Sequence, residues 1–160
     1  MTAQRQENNT AETENNQQEK INQWNQSELV KIQKFCFSKG IQIAEFKRER
    51  CLSIPPVIGI WYIKSKKQNE DFWIISGEFP TDVAPVNVAK DERDVIRYFS
   101  MSWHLKAARI EEALAEGKQI GDRETQQKFV KELIEKAEQL SLIHRDEKLW
   151  ANSGLNISNK

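Results

Sequence analysis

The stretch Val57-Ile58-Gly59-Ile60-Trp61-Tyr62-Ile63-Lys64-Ser65-Lys66-Lys67-Gln68-Asn69-Glu70-Asp71-Phe72-Trp73-Ile74-Ile75-Ser76-Gly77 decides the fold. Two runs of β-branched and aromatic residues flank a polar, lysine-rich segment at 64–70, the pattern of two antiparallel strands joined by a hairpin. Each run is apolar at consecutive positions, so both faces of their sheet are expected to be at least partly covered. Ahead of them Ile41, Ile43 and Phe46 alternate with polar residues and predict a third strand. Further upstream, Ser27 is a candidate N-cap, Leu29, Val30, Ile32, Phe35, Cys36 and Phe37 supply an apolar stripe, and Gly40 is a natural stop. Downstream, Ile96, Phe99, Trp103, Ala107, Ile110 and Leu114 recur at helical spacing up to Gly117. After Gly121, Asp122 is placed to cap a last helix with the stripe Phe129, Val130, Leu133, Ile134, Ala137 and Leu140. Such segregation predicts an α+β domain: an N-terminal helix, a three-stranded antiparallel sheet, and two long C-terminal helices packed on the sheet.

The 160 residues suffice for one domain of ordinary size. Residues 1–26 hold twelve Asn or Gln, no Gly or Pro, and only Ile21 and Trp24 as large apolar groups. A segment this polar buries too little to offset its ordering entropy, so 1–23 is expected to be a disordered Asn/Gln-rich tail. The expected domain is 24–150, with Trp24 tucked onto it and 151–160 a loose C-terminus. No apolar run approaches the ~18 residues of a membrane span, and the N-terminus lacks the apolar stretch of a signal peptide. Two cysteines, Cys36 and Cys51, make neither a disulfide framework nor a zinc set. A cytoplasmic location follows as the expectation, with no membrane contact.

Charge is balanced, 24 Lys+Arg against 24 Asp+Glu. That excludes a uniformly basic nucleic-acid binder and a polyanionic chain. The distribution is uneven: residues 27–70 carry nine cations against four acids, whereas 71–160 carry thirteen against sixteen. The basic part centres on Lys47, Arg48 and Arg50 and on Lys64, Lys66 and Lys67. If the two groups meet at one end of the sheet, they make a patch suited to an acidic protein partner or to RNA, of which the overall charge balance makes nucleic acid the less expected. The alternative is a sheet edge and hairpin kept soluble by lysines. Oligomeric state stays open.

The segment Gly77-Glu78-Phe79-Pro80-Thr81-Asp82, after the Trp73-bearing strand, resembles a family of uncharacterised bacterial domains with a Gly-acidic-apolar-Pro-Thr-Asp motif. Trp24, the run Pro56–Ser65 around Trp61, Arg93, Trp103, Ile120-Gly121 and the acidic-Leu-Trp ending of Asp146 to Trp150 resemble further features of that family. Val83 stands where the family usually carries an aromatic, and Glu92 where a Pro often precedes the Arg. The resemblance implies no activity, because the family's role is itself unassigned.

Turn chemistry alone accounts for the motif: Gly77 permits a sharp strand exit, Pro80 fixes φ, and Thr81 and Asp82 bond to nearby backbone. The functional alternative is a ligand or catalytic site that presents Glu78, Thr81 and Asp82, with Arg93 as counter-charge and Trp61, Trp73 and Trp103 as walls. Core packing is the commoner use of tryptophans at such spacing. No phosphate-binding glycine loop, nucleophile elbow or metal-ligand cluster occurs, so neither cofactor nor metal is expected. His104 and His144 lie off the buried stripes. The reading is a non-enzymatic protein-interaction module; its alternative is a small-molecule-binding or catalytic domain with its site at 77–93.

Overall fold

The computed structural model describes residues 2–67 and 69–152, with side chains from Thr10 onward. The chain divides after Val86 into two compact units. The first holds helix α1 (Thr2–Ser38) and five strands: β1 (Ile43–Phe46), β2 (Leu52–Ile54), β3 (Ile58–Ser65), β4 (Asp71–Gly77) and β5 (Asp82–Pro85). The second holds helices α2 (Glu92–Ala115), α3 (Arg123–Arg145) and α4 (Glu147–Asn152). The α+β class is as expected. The sheet has five strands and not three, all antiparallel, in the order β1-β3-β4-β5 with β2 also paired to β3.

The hairpin is the sheet's centre. β3 and β4 pair from Ile58↔Gly77 to Lys64↔Asp71, so Trp61 faces the same side as Ile74, and Tyr62 the same side as Trp73. α1 covers the first of these sides. Ile32 and Cys36 pack with Trp61, Ile63 and Ile74, and Trp24, Leu29, Phe35, Ile43 and Phe46 close the cluster's edge. Trp24 stacks on Trp61 at 6.4 Å, and Phe46 meets the same indole edge-on at 6.5 Å. Gly59 makes room for that ring: a Cβ there would lie 2.6 Å from the indole Nε1. The Trp61 N–H donates to Ser76 Oγ at 2.8 Å, so a buried donor and a buried hydroxyl satisfy each other.

Two strands escaped the sequence reading for local reasons. β2 is three residues long and runs into Pro55-Pro56, where the residue before a proline is held extended. β5 carries Pro85 and begins at Asp82, inside the predicted turn. Both lie toward the flanks of the sheet, where a short strand suffices and proline is tolerated. The first helix also differs, since α1 runs unbroken from Thr2 and Ser27 sits inside it. Residues 10–23 are exposed throughout. Without Gly or Pro, a run of Gln, Glu, Asn and Lys offers no helix breaker even though it offers no core. The expected loose C-terminus lies, from residue 153, outside the described residues.

Of the predicted helix punctuation, Gly40, Gly117 and Asp122 are found and the Ser27 cap is not. Gly40 has φ +74°, and the Ile41 N–H reaches back to the Cys36 carbonyl at 2.9 Å. Gly117 has φ +68°, with the Lys118 N–H bonded to Ala113 O at 2.8 Å. Asp91 and Asp122 cap α2 and α3 through the Asp94 and Thr125 N–H groups. α2 and α3 form an antiparallel hairpin in which the buried Ser100 hydroxyl donates to the Ala137 carbonyl at 2.7 Å. Among the described residues, no helix is long and apolar enough to cross a membrane.

Candidate functional site

The motif Gly77 to Asp82 is the way the chain leaves β4. Gly77 has φ +100°, and a Cβ there would lie 2.4 Å from the Val57 carbonyl oxygen. Its N–H donates to Glu28 Oε2 at 3.1 Å, while Lys31 Nζ donates to Glu28 Oε1 at 3.0 Å and to the Gly77 carbonyl at 3.3 Å. An acid-base pair on α1 thus holds the end of the central strand, and the Glu28 side chain is only 6% exposed. Beyond Gly77, Glu78 is exposed, Phe79 is buried and Thr81 is half-buried. Asp82 lies opposite Ile75, and its Oδ1 accepts from the Val83 N–H at 2.8 Å.

Arg93 serves the far end of the helical hairpin. Its Nε and Nη2 donate to the His144 carbonyl at 3.1 and 2.9 Å, and Nη2 lies 2.9 Å from Glu147 Oε1. The guanidinium covers the Trp150 ring at 5.3 Å, and the indole N–H is shared between the Ile143 and His144 carbonyls. Carbonyls left over at the end of α3 are therefore satisfied by an arginine and a tryptophan, which fold α4 back on the hairpin. The acidic-Leu-Trp ending and Arg93 are two halves of one clip. Burial, then the positive charges of Arg93 and Arg97, hold the His144 imidazole below its usual pKa.

The tryptophans are core residues. Trp61, Trp73 and Trp103 are all buried. The Trp73 indole donates to Val86 O at 3.1 Å and meets Tyr62 edge-on at 5.0 Å; Trp103 packs beside Phe99 at 5.9 Å. The expected basic patch divides. Lys47 and Arg50 lie over the Tyr62 ring at 5.2 and 4.6 Å, and Arg50 also covers Trp73 at 5.2 Å. Lys64 stands 3.8 Å from Glu45 and Lys67 3.4 Å from Glu70, while Arg48 and Lys66 are exposed. Tyr62 donates to Asp71 Oδ2 at 2.7 Å, and its burial and that carboxylate raise its pKa against the opposing pull of Arg50.

Cys36 is a buried core thiol whose pKa burial pushes to about 11, the opposite of an activated nucleophile. Cys51 is half-buried; its thiol donates to the Lys47 carbonyl at 3.1 Å. No group of three or more His, Cys, Asp or Glu among the described residues could hold a metal ion.

The cavity that sequence reasoning missed runs along the α2–α3 hairpin, with a volume of about 640 Å³. Its floor is Leu114, Val130 and Ile134, with the small Ala115 at one side. On the α3 wall Arg123, Gln127, Lys131 and Glu135 follow one another at four-residue steps, spanning about 18 Å of helix. The α2 wall presents Glu111. Arg123 caps α2 by donating to Leu114 O at 3.0 Å. Among the described residues, Glu111, Lys131 and Glu135 have no opposite charge within 4.0 Å. The signal was present in the sequence as a charged ridge bordering the apolar stripe, but such a ridge reads as an ordinary solvated face. Neither this cleft nor those beside the β3–β4 hairpin draws a lining residue from 77–82 or from Arg93.

No curated protein and no solved structure matches the chain. The features singled out above, Trp24 to Trp150, all fall within residues 16–150, and over that range the chain matches the family described as a domain of unknown function, DUF4826, to which it therefore belongs.

Proposed function

We propose that this chain is a cytoplasmic, non-enzymatic protein-interaction module and that its contact surface is the α2–α3 cleft. One observation carries the reading: an apolar floor of Leu114, Val130 and Ile134 lies between charged walls, and three of the walls' ionised groups meet no counter-charge among the described residues. Apolar groove plus polar rim is the anatomy of a protein contact. The reactive residue types elsewhere are committed to structure. Arg93 binds the His144 backbone carbonyl, Cys36 is buried with a raised pKa, and Trp61, Trp73 and Trp103 fill cores. An acidic partner at the basic end has weaker support, because Lys47 and Arg50 lie on rings and Lys64 and Lys67 face carboxylates.

Photo-crosslinking in the native cell tests this with the full chain. A photoreactive residue at Gln127 is expected to give a discrete protein adduct, and one at the exposed Arg48 none. Adducts from Arg48 alone, or from neither position, would overturn the assignment.

A further inference from the structure

We infer that the α2–α3 cleft takes a second copy of this chain, an inference that rests on the interaction reading above and names its partner. The cleft carries two cations and two anions, Arg123 and Lys131 against Glu111 and Glu135. A uniformly acidic or basic partner would be repelled by half of that rim. A copy of the same surface would not, because the two walls differ in net charge: α2 presents Glu111 alone, while α3 presents two cations, Arg123 and Lys131, against the one acid Glu135. Closed dimers are two-fold symmetric, and two helical hairpins facing each other make a four-helix bundle. With the two-fold axis along the helices, each α2 lies antiparallel on the second copy's α3, so Glu111 faces a wall bearing Arg123 and Lys131, twice per dimer. With the axis across the helices, α2 lies on α2 and α3 on α3, so walls of like net charge meet. Charge thus selects the first arrangement.

The apolar gain is modest. Leu114 and Val130 are already buried, leaving the half-buried Ile134 and the exposed Ala115 to add surface. A dissociation constant in the range of about 10–100 µM is the expected scale.

Sedimentation equilibrium of the full-length chain, from about 1 µM to 1 mM, tests the inference. Wild type is expected to pass from monomer to dimer. Glu111→Lys and Lys131→Glu each set like charges face to face twice, and each is expected to weaken the dimer about tenfold or more. The double reversal Glu111→Lys/Lys131→Glu is expected to restore it to within about threefold of wild type. All four positions on the two copies are exposed, so circular dichroism should show the fold unchanged. A dimer insensitive to the single reversals, or one not restored by the double, overturns the inference. A chain monomeric at the highest concentration that still gives a foreign adduct at Gln127 overturns self-association and leaves the interaction reading standing. A monomer with no adduct overturns both.

Discussion

Around the sheet, several charged side chains are bonded inside the unit. Glu28 and Lys31 bracket Gly77, Lys47 and Arg50 cover Tyr62, and Asp71 accepts the Tyr62 hydroxyl. Along the α2–α3 cleft Glu111, Lys131 and Glu135 stand apart, with no opposite charge within 4.0 Å among the described residues. The difference separates two uses of charge. A carboxylate that accepts a buried N–H fixes where a strand ends, and its removal leaves an orphaned donor. A solvated charge beside an apolar floor contributes little to its own fold and remains available to something else.

The largest effect expected on the sheet side is at Trp61. Its indole carries the contacts to Trp24, Phe46 and Ser76, so Trp61→Ala opens a cavity and strands a buried hydroxyl. A loss of about 3–5 kcal/mol is expected in urea unfolding. A loss under about 1 kcal/mol would mean that α1 does not depend on that ring. Next is Glu28→Ala, which removes the acceptor of the Gly77 N–H and leaves Lys31 without its acid. About 1.5–3 kcal/mol is the expected cost, with Glu28→Gln recovering part of it because an amide oxygen still accepts. Equal losses for the two variants would show that the bond to Gly77 is not what Glu28 supplies.

The second unit also commits charge in this way, and Arg93 sharpens the contrast. Arg93→Ala removes two bonds to the His144 carbonyl and the cation over Trp150, and about 1–2 kcal/mol is expected. The Glu147 contact adds little, because that carboxylate is largely exposed. Combining Arg93→Ala with Trp150→Phe should cost less than the sum, since both act on one carbonyl. Strict additivity would separate them into two independent contacts.

Most of the architecture was legible because it is periodic or punctuated. The hairpin runs, the helical stripes and the stops at Gly40 and Gly117 are local signals and appear where the pattern set them, except that Val30, Phe37 and Phe129 of the stripes are exposed. β2 and β5 were hidden because strands of three or four residues beside prolines carry no period. The candidate site was hidden for a different reason. The motif at 77–82 read as turn chemistry with a site as its alternative, and Gly77 at φ +100° makes the sharp exit from β4. The cleft looked like an ordinary helix surface because its meaning depends on two helices meeting. The partner of Arg93 lies 51 residues away along the chain, a pairing no spacing rule contains.

A smaller effect is expected from His144. Burial and the neighbouring arginines lower its folded pKa below the usual 6.5, so the unfolded chain binds the proton more readily. The contribution of the neutral imidazole is therefore complete above pH 6.5 and is lost as pH falls toward the folded pKa. Between pH 7.5 and about 5.5, His144→Gln should flatten the stability curve by under about 1 kcal/mol. An unchanged slope would locate the acid sensitivity elsewhere.

Smallest of all should be the stability change in Glu111→Ala and Lys131→Ala, each within about 0.5 kcal/mol of wild type when unfolded as dilute monomer. That near-zero value is what separates the two regions. If either charge proved worth 1.5 kcal/mol or more, it would be committed within the hairpin as Glu28 is within the sheet, and the cleft would lose its claim as a contact surface. If both are neutral in the monomer while reversal at the same positions changes association, the cost of an unmatched charge falls on the complex and not on the fold. Stability and sedimentation measured on the same two residues therefore decide where those charges act.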